Sequence, residues 1–193
     1  MKRVERGCAR MRLFVKDHKS YDEVKGRYPT RPVLFGMEAM DYKLAKIMDW
    51  VLKGMLVKEA GVYRGARKMI EEMKELCAGG EVEELVKADV KALFPSISQD
   101  DCVEKVNKFL RSDYDENMRG KYNMTIETLM EVVKALVVRP IVQVGTEYYS
   151  QKVGVMIGNP AALPLAEVYL EMIEREGEER GLDRRRFLRY CTC

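Results

Sequence analysis

Histidine is nearly absent from the sequence: His18 is the only one in 193 residues. A zinc centre of the histidine type has no ligands to draw on, and Cys191-x-Cys193 lacks the second ligand pair that a structural zinc site needs. The cysteines are odd in number and irregularly spaced, at positions 8, 77, 102, 191 and 193. They make no disulfide framework and fit reduced intracellular thiols. No apolar run reaches the length of a membrane span, and the N-terminus is charged throughout, without a signal peptide. The expectation is an intracellular protein, nuclear or cytoplasmic, with no membrane partner. Repeats, low-complexity segments and a clear linker are also lacking, so the chain reads as one α+β domain.

What is present is enough apolar material for one sizeable core, at 47% hydrophobic residues. Charged residues make up 34% and leave a net charge of +3, too small to argue by itself for a nucleic-acid partner. Their distribution says more. Cations from Lys2 to Arg31 crowd the N-terminus, and Arg180, Arg184, Arg185, Arg186 and Arg189 crowd the C-terminus. Acidic residues collect between them, as at Glu71, Glu72 and Glu75. Basic ends of this kind can flank a phosphate-binding groove. Taken one run at a time, they are also ordinary solvated faces.

Met11 to Val15 and Thr30 to Gly36 read as strands, the second with Pro32 near its start, where proline is tolerated. Leu44, Ile47, Met48, Val51, Met55 and Leu56 recur at helical spacing, with Asp41 as a cap. A helix over Ala66 to Leu76 ends at Gly79-Gly80. Leu85 to Val90 is expected to be a buried central strand, broken by Phe94-Pro95-Ser96. Ser98 caps a helix to about Leu110, and Ser112 to Tyr122 reads as a polar connection. Thr125 opens a helix that Pro140 cannot continue. Gly145-Thr146 joins 141–144 to 147–150 as a hairpin. The helix after Pro160 carries Leu163, Ala166, Leu170 and Ile173 on one face, and Phe187 to Tyr190 starts a last strand.

Two segments carry chemistry. Nucleotidyl transfer runs on two Mg²⁺ ions about 3.5–4 Å apart. These hard cations need converging carboxylate oxygens on a rigid mount such as a strand end. Asp89, at the end of the Leu85 to Val90 run, suits that role, and the same position also suits an ordinary capping or turn aspartate. Phe94 follows five residues later, then Pro95-Ser96-Ile97. The second segment is Gln151-x-x-Gly154-x-x-x-Gly158-Asn159-Pro160, a glycine loop opening a helix that holds Leu165-Ala166-Glu167 and Tyr169. Its glycines let backbone approach a base pair or sugar closely, or let a helix N-terminus pack tightly on a sheet.

Together these segments resemble the reverse transcriptase family, with the nearest likeness to the Penelope-like retroelement type. Lys16-Asp17-His18-Lys19 and Arg31-Pro32-Val33 are similar to its two finger-strand motifs, and Arg186-Phe187-Leu188-Arg189-Tyr190 to the lead-in of its metal-binding hairpin. The resemblance covers nearly the whole chain. It implies a right-hand fingers-palm fold with an antiparallel palm sheet packed on helices, incomplete at the C-terminus. Fingers would lie mainly in 1–84 and palm mainly in 85–193. The implied activity is RNA-directed DNA synthesis with Mg²⁺ as cofactor. The implied partners are an RNA template, a DNA primer and deoxynucleotide triphosphates.

The same resemblance implies residue roles. Asp89 is the catalytic metal ligand, with the carbonyl of Val90 beside it. Phe94 is the steric gate against a ribose 2′-hydroxyl. Lys16 and Arg31 face the incoming triphosphate, where cations offset its charge. Gln151 sits at the nucleotide, with Gly154 near the template base pair. His18 and Lys19 touch the template backbone, and Gly158, Asn159 and Pro160 lie under the primer-template. Where the family has two aspartates after the tyrosine, this sequence has Thr192 and Cys193. A neutral hydroxyl and a soft thiol do not replace carboxylates on Mg²⁺. The chain is therefore expected to be a fragment, inactive or very weak in extension. Two other functions fit the same residues: a non-catalytic retroelement remnant that at most binds nucleic acid, and a fragment of another palm-type polymerase.

Overall fold

A computed structural model describes residues 7–16, 20–36, 39, 41–56, 62–63, 66–80, 84–183 and 188–190. β1 (Ala9–Val15) and β2 (Thr30–Phe35) pair antiparallel, from Arg10 opposite Phe35 to Val15 opposite Thr30. β2 lies at the edge of its sheet, where the missing N–H of Pro32 is tolerated. β4 (Ile141–Val144) and β5 (Glu147–Ser150) form the expected hairpin, with Gly145 at φ +62° in its turn.

The sheet order is β2-β1-β4-β5, and β1 runs parallel to β4, with Ala9 opposite Val142. The sheet is thus mixed and not antiparallel as expected. The physical reason is the connection: helices intervene between β1 and β4, and a long crossover permits a parallel pair where a tight hairpin does not. Strands on both sides of residue 84 contribute to this one sheet.

The larger apolar core is helical. α1 (Tyr42–Leu56), α4 (Gln99–Asp113), α6 (Ile126–Val137) and α7 (Ala162–Glu179) pack together, α4 against α6 and α7, and α1 against the same two. Met48, Leu52, Phe109, Leu129, Val133 and Leu165 are fully or almost fully buried between them. Each such side chain contributes about 1.5–3 kcal/mol of transfer free energy. The helix starts follow the expected chemistry. Ser98 Oγ accepts from the Asp101 N–H at 3.4 Å, and Thr125 Oγ1 from the Thr128 N–H at 3.2 Å.

Three further expectations are corrected. First, 84–90 belongs to no strand: Leu85, Val86 and Val90 are 60%, 83% and 55% exposed. A strand needs a partner for its N–H and C=O groups, and none of the described strands runs beside this segment. Its alternation of Val86, Ala88 and Val90 with Lys87, Asp89 and Lys91 has no sheet to lie on. Second, 112–122 is not a connection: α4 continues to Asp113, and α5 (Glu116–Tyr122) follows, capped by Asp115, whose Oδ1 accepts from the Met118 N–H at 2.8 Å. Third, of the face expected for α7 only Ala166 is buried; Leu165, Val168 and Met172 are buried beside it, whereas Ile173 is 42% exposed. The segment read as breaking the Leu85 to Val90 strand, Phe94-Pro95-Ser96, lies in α3 (Leu93–Ser96), a single helical turn entered through Ala92 at φ +55°.

α2 (Ala66–Ala78) ends just before Gly79-Gly80 as expected and buries none of its side chains. β3 (Val62–Tyr63) pairs parallel with β6 (Arg189–Tyr190). Phe187, read as the first residue of that last strand, lies outside the described residues. Among the described residues no helix is long and apolar enough to cross a membrane.

Candidate functional site

The glycine loop 151–161 links β5 to α7, and two other motif-bearing segments meet on it. The N–H of Gly154 donates to the carbonyl of Ile97 at 3.0 Å, and that of Val155 to the carbonyl of Phe94 at 2.9 Å. On the other side the N–H of Leu34, in β2, donates to the carbonyl of Ile157 at 2.8 Å. Val155 enters the helical core, and its neighbour Met156 enters a second, small cluster with Ala9, Leu34 and Val142 on the sheet. Two adjacent residues thus pin the helices and the sheet to one loop.

The glycines are required by this closeness. Gly154 has φ +83°, and a Cβ there would sit 2.8 Å from the Phe94 carbonyl oxygen and 2.9 Å from Pro95 Cα. Gly158 has φ +101°, and a Cβ there would collide with the Leu34 carbonyl. Only glycine takes such positive φ angles and also leaves the space. Asn159 closes the loop: its Oδ1 accepts from the Ala161 N–H at 2.9 Å, and Pro160 follows half-buried at the entry to α7. Gln151 folds onto its own loop, its Nε2 donating to the Val153 carbonyl at 2.9 Å.

The outer face of the sheet is basic and aromatic. Strand alternation sets Arg10, Arg12 and Phe14 with Arg31 and Phe35 opposite the face that carries Ala9, Met11 and Leu34. The Arg12 guanidinium lies 4.9 Å over the Phe35 ring, and the Phe14 and Phe35 ring centroids are 5.8 Å apart. Lys16 comes next in the same alternation, its N–H donating to the Pro29 carbonyl at 2.8 Å. The two residues assigned to the triphosphate, Lys16 and Arg31, therefore belong to one face of one hairpin. His18 and Lys19 lie outside the described residues.

Asp89 and Val90 sit on the exposed segment described above, not at a strand end. Phe94 is half-buried and packs against the helical core. Among the described residues no three acidic, histidine or cysteine side chains gather in a way that would hold a metal ion. A carboxylate on an exposed connection lacks the converging oxygens that Mg²⁺ requires, so the described residues do not fit the ion that the family resemblance implies.

Tyr169, from the glycine-loop motif, has a structural partner: its hydroxyl donates to Asp101 Oδ2 at 2.7 Å. Burial, and after it this bond, push its phenol up to about 12. Burial, with the Asp101 charge second, pushes the neighbouring Cys102 thiol up to about 12. Neither group is available as a base or nucleophile near neutrality. Lys105 completes this cluster, with its ammonium 2.7 Å from Glu176 and 3.7 Å from Asp101.

Sequence reading missed Gln99. It follows the Ser98 cap, and its pattern is that of any first-turn residue, yet its side chain is buried and bonded to the glycine loop. No protein-family model matches this sequence, and no curated protein matches it. A sheet face of arginines and aromatic rings suits phosphates and stacked bases.

Proposed function

We propose that this chain is a fingers-palm body of the reverse transcriptase type, of Penelope-like or related retroelement origin, and that it holds an RNA template paired with a DNA primer. The observation that carries this reading is the meeting of three sequence motifs far apart in the chain. The glycine loop bonds Leu34 on the Arg31 strand and Phe94 on the Asp89 segment, by backbone contacts that only its glycines permit. In this reading the Arg12, Phe14, Arg31 and Phe35 face and Lys16 supply phosphate and base contacts, and the loop, which packs Met156 on the other side of the sheet, fixes β2 and the Asp89 segment relative to each other. Magnesium-dependent nucleotidyl transfer is the activity the family likeness implies. Asp89 does not have the partners for it among the described residues, so we derive no catalytic step.

Binding of a labelled primed RNA template, titrated with salt, tests the reading. Affinity should fall steeply with salt, and Lys16→Ala or Arg31→Ala should each lower the salt slope by about one. Absent or salt-insensitive binding would overturn it. The exposed setting of Asp89 favours a second reading, a remnant that binds without catalysis. Primer extension by the purified chain with deoxynucleotides separates the two: none is expected, and robust extension abolished by Asp89→Asn would return the chain to the polymerases.

A further inference from the structure

Gln99 is 7% exposed at the start of α4. Its Nε2 donates to the carbonyls of Gln151 at 3.1 Å and Gly154 at 3.2 Å. Its Oε1 accepts from the N–H of Arg139 at 3.0 Å. The orientation of the carboxamide is dictated by these partners, since two carbonyls require a donor and an N–H requires an acceptor. Arg139 lies just before β4 and is held at φ +48°, a left-handed conformation unusual for a side chain of this size. Gln151 lies just after β5. One side chain therefore binds both feet of the β4–β5 hairpin and the glycine loop that leaves it. The feet are also tied to each other, Gln151 N–H to the Pro140 carbonyl at 2.9 Å and Ser150 Oγ to the Arg139 carbonyl at 3.3 Å.

We infer that Gln99 is a positioning residue, whose carboxamide sets the glycine loop and the β4–β5 hairpin on the N-terminal turn of α4. No other side chain reproduces it. Glutamate cannot donate to two carbonyls and would bury a charge, methionine has the length without the polar atoms, and asparagine is one methylene short. Because β4 pairs with β1, the hold extends to the whole sheet. The positioning stands on this geometry. Its consequence for a bound hybrid rests on the function proposed above.

The test is amide and carboxamide hydrogen exchange by NMR on the full chain, paired with binding of an RNA–DNA primer-template. In the unsubstituted protein the Gln99 carboxamide protons should exchange at least tenfold more slowly than those of Gln151, whose bond is exposed. In Gln99→Met the amides of Arg139, Gly154 and Val155 should lose at least tenfold protection while α6 keeps its own. Hybrid affinity should fall at least tenfold with them. Gln99→Asn should show the same pattern to a smaller degree. Equal exchange of the two carboxamides, or unchanged loop protection in Gln99→Met, would overturn the inference. Loop loosening with unchanged affinity would overturn its consequence for binding. If Gln99→Met does not fold, the carboxamide comparison in the unsubstituted protein still decides. If that protein does not bind the hybrid, the proposed function fails and the exchange results stand on their own.

Discussion

At the scale of single residues, the glycine loop separates a conformational requirement from a spatial one. Gly80 and Gly154 both have positive φ, +71° and +83°, but a Cβ on Gly80 meets nothing within 4 Å. Gly80→Ala should therefore cost only the left-handed backbone, about 1–2 kcal/mol. Gly154→Ala should add about 1–3 kcal/mol for forcing Phe94 and Pro95 away. Urea unfolding of the two variants checks this, and equal losses would mean that the close approach carries no energy. A second residue-scale expectation concerns Cys102. Its thiol is buried and stays protonated to about 12 in the folded state, against 9.0 when unperturbed. At pH 8 a maleimide should label exposed Cys77 and leave Cys102 untouched until the protein is unfolded. The linkage has a definite sign. A pKa raised on folding contributes stability that is complete below pH 9 and lost as pH rises towards 12.

At the scale of elements, what was legible in the sequence is what local chemistry decides. The caps at Ser98 and Thr125, the Gly145 turn and the glycine stop after α2 depend on neighbours within a few residues. What was not legible depends on partners far along the chain. Leu85 to Val90 has the composition of a strand and lacks a neighbouring ladder. The face of α7 was misjudged in all but Ala166 because the helix packs on both α4 and α1, and because it buries two glutamates, Glu167 and Glu171, that hydrophobic periodicity cannot flag. Of the candidate site, Gly154 and Gly158 were legible from type and spacing, whereas Gln99 acts through backbone groups some 40 to 55 residues away.

The more deeply buried of the two glutamates, Glu171, supports the element-scale prediction. It lies 3.0 Å from Arg175 Nε and 3.1 Å from Arg189 Nη2, and Arg189 also donates to the Glu167 carbonyl at 3.0 Å. Arg189 thereby anchors β6 to α7. Arg189→Ala should cost about 2–4 kcal/mol, since it leaves a buried charge with one arginine fewer. Replacing Arg111, whose Nε reaches Asn107 on the exposed face of α4, should cost far less. Chemical denaturation of both variants measures the difference, and a small loss at Arg189 would show that Glu171 is satisfied without it.

At the scale of the whole molecule, the two apolar clusters are unequal. The helical core draws buried side chains from α1, α4, α5, α6 and α7, whereas the sheet cluster consists of Ala9, Leu34, Val142 and Met156, with Met11 at its margin. The rest of the sheet is open: Leu13, Val15, Ile141 and Tyr149 are between 56% and 63% exposed. Local stability follows buried apolar contact, so the sheet is the weaker unit. Under native conditions the β1 and β2 amides should exchange at least tenfold faster than those of α4, α6 and α7, a gap of about 1.4 kcal/mol or more. Hydrogen exchange resolved by residue measures that gap. Adding a primed RNA template should narrow it, because a ligand that binds only the ordered sheet stabilises it by mass action. Protection that rises uniformly, or only in the helices, would move the binding surface off the sheet. Equal exchange of sheet and helices in the free protein would mean that Val155, Met156 and Gln99 couple the two clusters strongly enough to open as one.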